Sequence, residues 1–162
     1  MTKPEMLNKI AALETEVANL RALLEKPDTP WVPERGDTYF RIAGSGSMVE
    51  HKWDNDCIDD AYLSIGNVFR TRKDAEFMVE RLKVLAELRR LAKGFVPDWD
   101  DKQQSKWTLT YDNGDGIDID YFWSTNIGAP VYFQSREDAQ AAIETVGAER
   151  LKRYYFMVGE NA

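Results

Sequence analysis

Two stretches of the chain, FRTRKDAEFMVE at 69–80 and FQSREDAQAAIE at 133–144, repeat the same order of residues. In each, an aromatic residue stands two positions before a Thr or Ser, and an Asp and an Ala follow in the same register. A hydroxyl that can cap a helix, followed by an acid in the first turn, is typical of a helix start. The pattern therefore predicts two similar strand–helix junctions.

Outward from these junctions, short alternating segments predict strands. Before the first junction they are TYFRI within 31–44, MVEHKW at 48–53 and GNVF at 66–69; before the second they are WTLTY at 107–111, IDIDYFW at 117–123 and PVYF at 130–133. The predicted fold class is α+β, with an antiparallel sheet covered by helices. Two ββ-β-α half-repeats, about 31–94 and 105–147, would build it. The alternative is two unrelated junctions that share only their capping chemistry.

Between these strands and helices, two further predictions concern burial. The polar segment DNDCIDDAYLS at 54–64 is expected to be an irregular connection. The helix after Thr71 is expected to bury one stripe, whose members are Ala75, Met78, Val79, Leu82, Leu85, Leu88 and Leu91.

The amino-terminal segment has apolar residues at alternating spacings of four and three, which is typical of a coiled-coil seam. They are Met6, Ile10, Leu13, Val17, Leu20 and Leu24. Branched residues at two of the a positions favour a parallel homodimer, although higher oligomers stay open. The alternative is a single amphipathic helix packed on its own domain. The predicted organisation is an oligomerisation helix at 1–26, a linker at 27–30, the α+β domain at 31–158 and a tail at 159–162.

Composition narrows the possible functions. Cys57 is the only cysteine and His51 the only histidine, so a nucleophile–base pair would have to use this single histidine with hydroxyls or carboxylates, and His- or Cys-rich metal sites cannot form within one chain. A net charge of −7 disfavours nucleic acid as a partner. Neither a signal peptide nor a long apolar run is evident, which predicts a cytoplasmic protein with no membrane partner. We expect no enzyme activity, no cofactor and no metal.

Acidic residues cluster at Asp54, Asp56, Asp59 and Asp60. Oxygen ligands of this kind suit calcium or magnesium, but the spacing lacks the glycine and terminal glutamate of a calcium-binding loop. We expect a solvated acidic loop here. A metal-dependent enzyme that uses these acids is the least favoured alternative.

Aromatic residues are abundant, and several lie near arginines. Aromatic faces can stack on a base while a guanidinium pairs with a phosphate. The predicted ligand-binding residues are Arg41, Trp53, Arg70, Tyr121 and Trp123. The alternative is that the aromatic residues fill the core and the dimer contact.

The motifs WxPxxGxxYFxI at 31–42, WDND at 53–56 and GNVFxT at 66–71 resemble those of small bacteriophage and prophage accessory proteins with no assigned activity. The resemblance implies action in the infected bacterial cytoplasm and supplies no catalytic residues. We therefore expect a non-enzymatic binding protein that counters bacterial immune defence by sequestering a nucleotide signal. The alternative is a coiled-coil-assembled interaction module that inhibits or scaffolds a host or phage protein.

Overall fold

The computed structural model describes residues 31–122 and 129–159, together with Lys9, Leu13 and Val17. The chain divides into two units, Met1–Val32 and Pro33–Ala162. In the first unit the three isolated residues are helical, and the side chains of Leu13 and Val17 are 52% and 44% exposed. The predicted coiled coil otherwise lies outside the described residues and stays a prediction, as do its members Met6, Ile10, Leu20 and Leu24.

The second unit is α+β, as predicted, but its strands form two small sheets instead of the single antiparallel sheet that the sequence predicted. Within the described residues it holds two separate two-stranded antiparallel sheets and four α-helices. The elements are β1 (Thr38–Ile42), β2 (Met48–Lys52), α1 (Cys57–Ser64), α2 (Arg72–Leu91), β3 (Lys106–Asp112), β4 (Gly116–Phe122), α3 (Arg136–Val146), α4 (Ala148–Arg150) and a π-helical turn (Leu151–Tyr155).

In both halves a hairpin is followed by one further strand-like contact. Phe69 exchanges two 2.9 Å backbone hydrogen bonds with Phe40 on β1, and Phe133 exchanges bonds of 2.7 and 3.1 Å with Trp107 on β3. The third strands predicted at 66–69 and 130–133 are thus single bridges. In the first half the Asn67 side chain, and not its backbone, bonds to the Ile42 backbone, so the ladder does not continue before Phe69.

Both helix caps form as the repeated sequence predicts. The Thr71 hydroxyl oxygen accepts from the Asp74 backbone N–H at 3.2 Å, and Asp74 bonds back to the Thr71 N–H, which completes a capping box. At the second junction the Ser135 oxygen accepts from the Asp138 N–H at 3.1 Å. The two junctions therefore share their sequence pattern and a hydroxyl cap, and the first adds the reciprocal bond of a capping box.

The segment 54–64 is not irregular, contrary to the sequence-based expectation. Helix α1 covers Cys57–Ser64, and the Asp56 side chain caps it by accepting from the backbone N–H groups of Ile58 and Asp59. Asp59 and Asp60 lie in its first turn, where a helix favours negative charge. The acidic run is thus a helix start.

Helix α2 buries different sides along its length. Ala75 and Val79 are buried in its first half, and Val84, Leu88 and Ala92 are buried at its second half and end. Five residues separate Val79 from Val84, which turns the buried side by about 140° around the axis. The helix contacts β1, β2, α3 and the π-helical turn. At its start the Arg72 guanidinium lies 5.7 Å from the centre of the Phe40 ring on β1.

One member of the predicted stripe on α2 was therefore wrong. Leu82 is 50% exposed because the helix has changed its buried side at that point. The side of α2 that carries Val84 faces the larger core. That core also contains Leu109, Ile119, Phe133, Ala139 and Leu151.

The carboxyl-terminal segment closes this core without a strand. Leu151 and Tyr155 of the π-helical turn are buried, and Phe156 and Val158 donate their N–H groups to carbonyls within the same segment. Among the described residues this segment contains no β-strand. The segment lies beside α2, and a groove forms between the two.

Candidate functional site

Of the five residues predicted to bind a ligand, the structure describes four, and these are divided between the two hairpins. Arg41, on β1, is half-buried, and its guanidinium lies 4.7 Å from the centre of the Tyr62 ring. Its Nη2 atom is 3.1 Å from Nε2 of His51 on β2. This cation is therefore already engaged by an aromatic face and an imidazole.

The other predicted ligand residues are dispersed. Trp53 is 2% exposed and packs edge-on against Tyr39 at 5.6 Å, so it offers a ligand no surface. Arg70 is exposed beside the first bridge. Tyr121 lies on the other hairpin with its ring 5.0 Å from that of Trp107. Trp123 lies outside the described residues.

Asp59 is the centre of the acidic segment and is buried rather than solvated. Its carboxylate accepts from the Tyr39 hydroxyl at 2.8 Å and from the backbone N–H groups of Asp54 and Asn55 at 2.7 and 3.0 Å. Burial alone would raise the Asp59 pKa, but these hydrogen bonds outweigh it and hold the pKa below its usual value. Burial, with the Asp59 carboxylate beside it, raises the pKa of Tyr39 above its ordinary range.

The expectation of a solvated acidic loop is therefore wrong at Asp59. Two of the four clustered acids have structural roles, since Asp56 caps α1 and Asp59 ties α1 to β1. In the part of the chain that the structure describes, no group of three or more His, Cys, Asp or Glu residues could hold a metal ion.

An open groove of about 770 Å³ lies between the first half of α2 and the π-helical turn. We call it the α2 groove. Its apolar surface comes from Phe69, Phe77, Met78 and Tyr154, and its polar lining from Thr71, Lys73, Asp74, Glu76, Glu80 and Arg153.

The α2 groove is formed by packing between two segments that are distant in the chain. The Phe77 ring lies 5.3 Å from that of Tyr154, and the Arg81 guanidinium donates to the Tyr154 carbonyl at 3.3 Å. Phe77 precedes Val84 by seven residues, close to two helical turns, so both lie on the same side of α2. The groove is therefore the continuation of the core-facing side of α2 past the end of the core.

The charged side chains on the rim of the α2 groove differ in whether they already have bonding partners. Asp74 is committed to the capping box and Glu80 pairs with Lys83 at 2.6 Å. The Arg153 guanidinium lies 5.3 Å from the Tyr154 ring centre. The side chains of Lys73 and Glu76 make no hydrogen bond or ion pair with any described residue. A second cavity, of about 420 Å³, shares Arg153 and Tyr154 and adds Lys152.

Sequence reasoning did not single out Phe77, Arg153 or Tyr154. A signal for Phe77 was present, because Phe77, Val84 and Leu88 follow the seven-and-four spacing of one helix side. No local signal marks Arg153 and Tyr154, since their place beside Phe77 depends on contact between distant segments.

Comparisons with family models, with curated proteins and with solved structures find no match to this chain. Among the described residues, no helix combines the length and apolar character required to cross a membrane.

Proposed function

We propose that this chain is a non-enzymatic binding protein whose α2 groove holds a segment of a partner protein. The observation that carries the proposal is the continuation of the apolar side of α2 beyond the core, where Phe77, Met78 and Tyr154 line an open surface. Burying one large apolar side chain contributes about 1.5–3 kcal/mol, so one or two anchors in this groove would dominate the affinity.

Rim charges support a segment that has polar residues of both signs around its apolar anchor. Lys73 and Arg153 would attract acidic neighbours, and Glu76 would attract a basic one. Such pairs at an exposed rim contribute mainly to orientation and selectivity. Inhibition or scaffolding of a host or phage protein is the proposed outcome.

A nucleotide immune signal is the second candidate ligand. Lys73 and Arg153 lie along the same groove as the Phe77 and Tyr154 rings, and Lys152 lines the adjoining cavity. Rings that stack on a base, beside cations that pair with phosphate, are the chemistry that a nucleotide requires. The carboxylate of Glu76 in the same groove weighs against this candidate and favours the protein segment.

The proposed setting is the cytoplasm of an infected bacterium, on the basis of the resemblance to phage accessory proteins. Self-association through the amino-terminal helix is part of the proposal. Leu13 and Val17 support it, since they are helical, four residues apart and therefore on one side, with about half of each side chain exposed. Two linked copies would raise the avidity for a partner with two contact points.

Site-specific photo-crosslinking tests the leading proposal. The crosslinker p-benzoylphenylalanine replaces Glu76 in the groove or, as a matched control, Leu82, an exposed position on another side of α2. In infected cells we expect one adduct from position 76 and none from position 82. Equal adducts from both positions, or none from either, would contradict the proposed groove.

A nucleotide panel separates the two candidates. The purified protein is incubated with cyclic and linear nucleotide signals, and depletion and heat-released recovery are measured by mass spectrometry. Recovery of one intact nucleotide, lost in Arg153→Ala but retained in Arg89→Ala, would favour the second candidate. Conversion of a nucleotide would overturn the non-enzymatic assignment, and no depletion leaves the protein segment as the ligand.

A further inference from the structure

Strand β4 has an outer edge that pairs with no other strand among residues 31–122 and 129–159. The direction of its backbone groups follows from β3. Trp107 uses both its N–H and its C=O for Phe133, so its neighbours Lys106 and Thr108 face β4. In the observed register Thr108 opposes Asp120. Hence the N–H groups of Asp118 and Asp120 point to β3, and those of Ile119 and Tyr121 point to the outer edge.

Carboxylates of the same strand occupy both of these outward N–H groups. Oδ1 of Asp118 accepts from the Ile119 N–H at 2.7 Å, and Oδ1 of Asp120 accepts from the Tyr121 N–H at 2.7 Å. Both aspartates are exposed, whereas Ile119 is buried in the core. The alternation of IDID thus does two things: isoleucine fills the core and aspartate covers the edge.

In the first hairpin, other groups form hydrogen bonds to the edge of β1 that faces away from β2. Phe69 bridges Phe40, and the Asn67 side chain both accepts from the Ile42 N–H at 2.8 Å and donates to the Ile42 carbonyl at 2.9 Å. That amide takes the place of a neighbouring strand. At β4 no such group is found among the described residues, and the two aspartates act on the strand to which they belong.

We propose that Asp118 and Asp120 keep the outer edge of β4 from pairing with the same edge of a second copy of this chain. An exposed strand edge is a template for adding a strand, and GIDIDYF is rich in strand-forming residues. With the N–H donors of Ile119 and Tyr121 occupied, the edge has fewer bonds to offer. Two β4 edges brought together would also set aspartates of both copies side by side, and like charges across a strand pair repel.

Replacement of both acids in the full-length protein tests this inference. Asp118→Ala/Asp120→Ala removes the acceptors and the charge, whereas Asp118→Asn/Asp120→Asn removes the charge but retains an oxygen acceptor. Asp60→Ala/Asp100→Ala, at exposed positions elsewhere, changes the net charge equally. In sedimentation velocity we expect the first variant to reach about twice the wild-type mass, the second to associate less, and the control to match wild type. A folded alanine variant with wild-type mass at every concentration overturns the proposal.

Hydrogen exchange in the wild-type protein provides a test that needs no variant. The Glu50 N–H on β2 is the matched reference, because Phe40 faces Phe69 and the alternation turns Glu50 toward the open side of its hairpin. We expect the Ile119 and Tyr121 amides to exchange about fivefold more slowly than the Glu50 amide or slower still. Equal rates would show that the carboxylates do not occupy the edge, and the proposal would fail.

Discussion

The hydroxyl of Tyr39 on β1 donates a 2.8 Å hydrogen bond to the carboxylate of Asp59 on α1, across the interior of the first half. Both residues are buried, and the Trp53 ring packs on Tyr39. The bond joins two elements that make few other contacts, because α1 is short and largely exposed. Its loss should therefore affect stability more than the loss of an ordinary tyrosine hydroxyl.

We predict that Tyr39→Phe lowers the free energy of unfolding by about 1–3 kcal/mol, because it leaves a buried carboxylate without its side-chain donor. Urea denaturation followed by circular dichroism measures the change. Tyr111→Phe is the control: its ring packs on Phe156, and we expect a change within about 0.5 kcal/mol. Equal effects of the two substitutions would contradict the importance of the Tyr39–Asp59 bond.

The contribution of the Tyr39–Asp59 bond to stability should depend on pH. Asp59 has a folded-state pKa below its ordinary value of about 3.9, so the unfolded chain binds a proton at a pH where the folded chain does not. This contribution is present above about pH 3.9 and is lost as the pH falls through the folded-state pKa. Between about pH 7 and pH 3, the stability difference between wild type and Tyr39→Phe should shrink. A difference that stays constant over this range would argue against an ionised Asp59.

The change of buried side along α2 predicts opposite results for two leucines six residues apart. Leu88→Ala should cost about 2–5 kcal/mol, because Leu88 is fully buried and its loss leaves a cavity. Leu82→Ala should cost less than about 1 kcal/mol, since half of that side chain is exposed. Chemical denaturation distinguishes them. Similar losses would mean that the helix buries one continuous stripe, as the sequence alone suggested.

The two helix caps should be of similar strength. We expect Thr71→Ala and Ser135→Ala each to lower stability by about 1 kcal/mol, because each removes an acceptor for a first-turn N–H group. Thr145→Ala is the matched control, since its hydroxyl bonds only to the Ala141 carbonyl within α3. A control that loses as much as the cap variants would show that the effect reflects helix propensity.

The predictions that the structure confirms came from local sequence patterns. Both hairpins and both long helices were predictable, because alternation, turn residues and caps act over a few residues. Helix α1 was missed although Asp56 and the acids after it form a proper helix start. There the acidity itself favoured a loop, and burial of Asp59 depends on Tyr39, far earlier in the chain.

The candidate site was largely unpredictable for the same reason. Arg41 and Trp53 are residue types that suit a ligand site. In the structure, however, the Arg41 guanidinium packs on the Tyr62 ring and Trp53 is buried. The α2 groove arises where Phe77 meets Tyr154, from segments that are far apart in the chain. A spacing rule can identify the side of α2 on which Phe77 lies, but not which segment packs there.

Helix α2 also determines how this unit can be divided. Its first turns complete the interior of the early hairpin, and its later turns, with Val84 and Leu88, complete the interior of the later one. A fragment that stops after Gly94 would expose the later side to water, and a fragment that begins there would lack one wall. Neither half therefore has a complete core of its own, and we expect the unit to unfold in one cooperative transition.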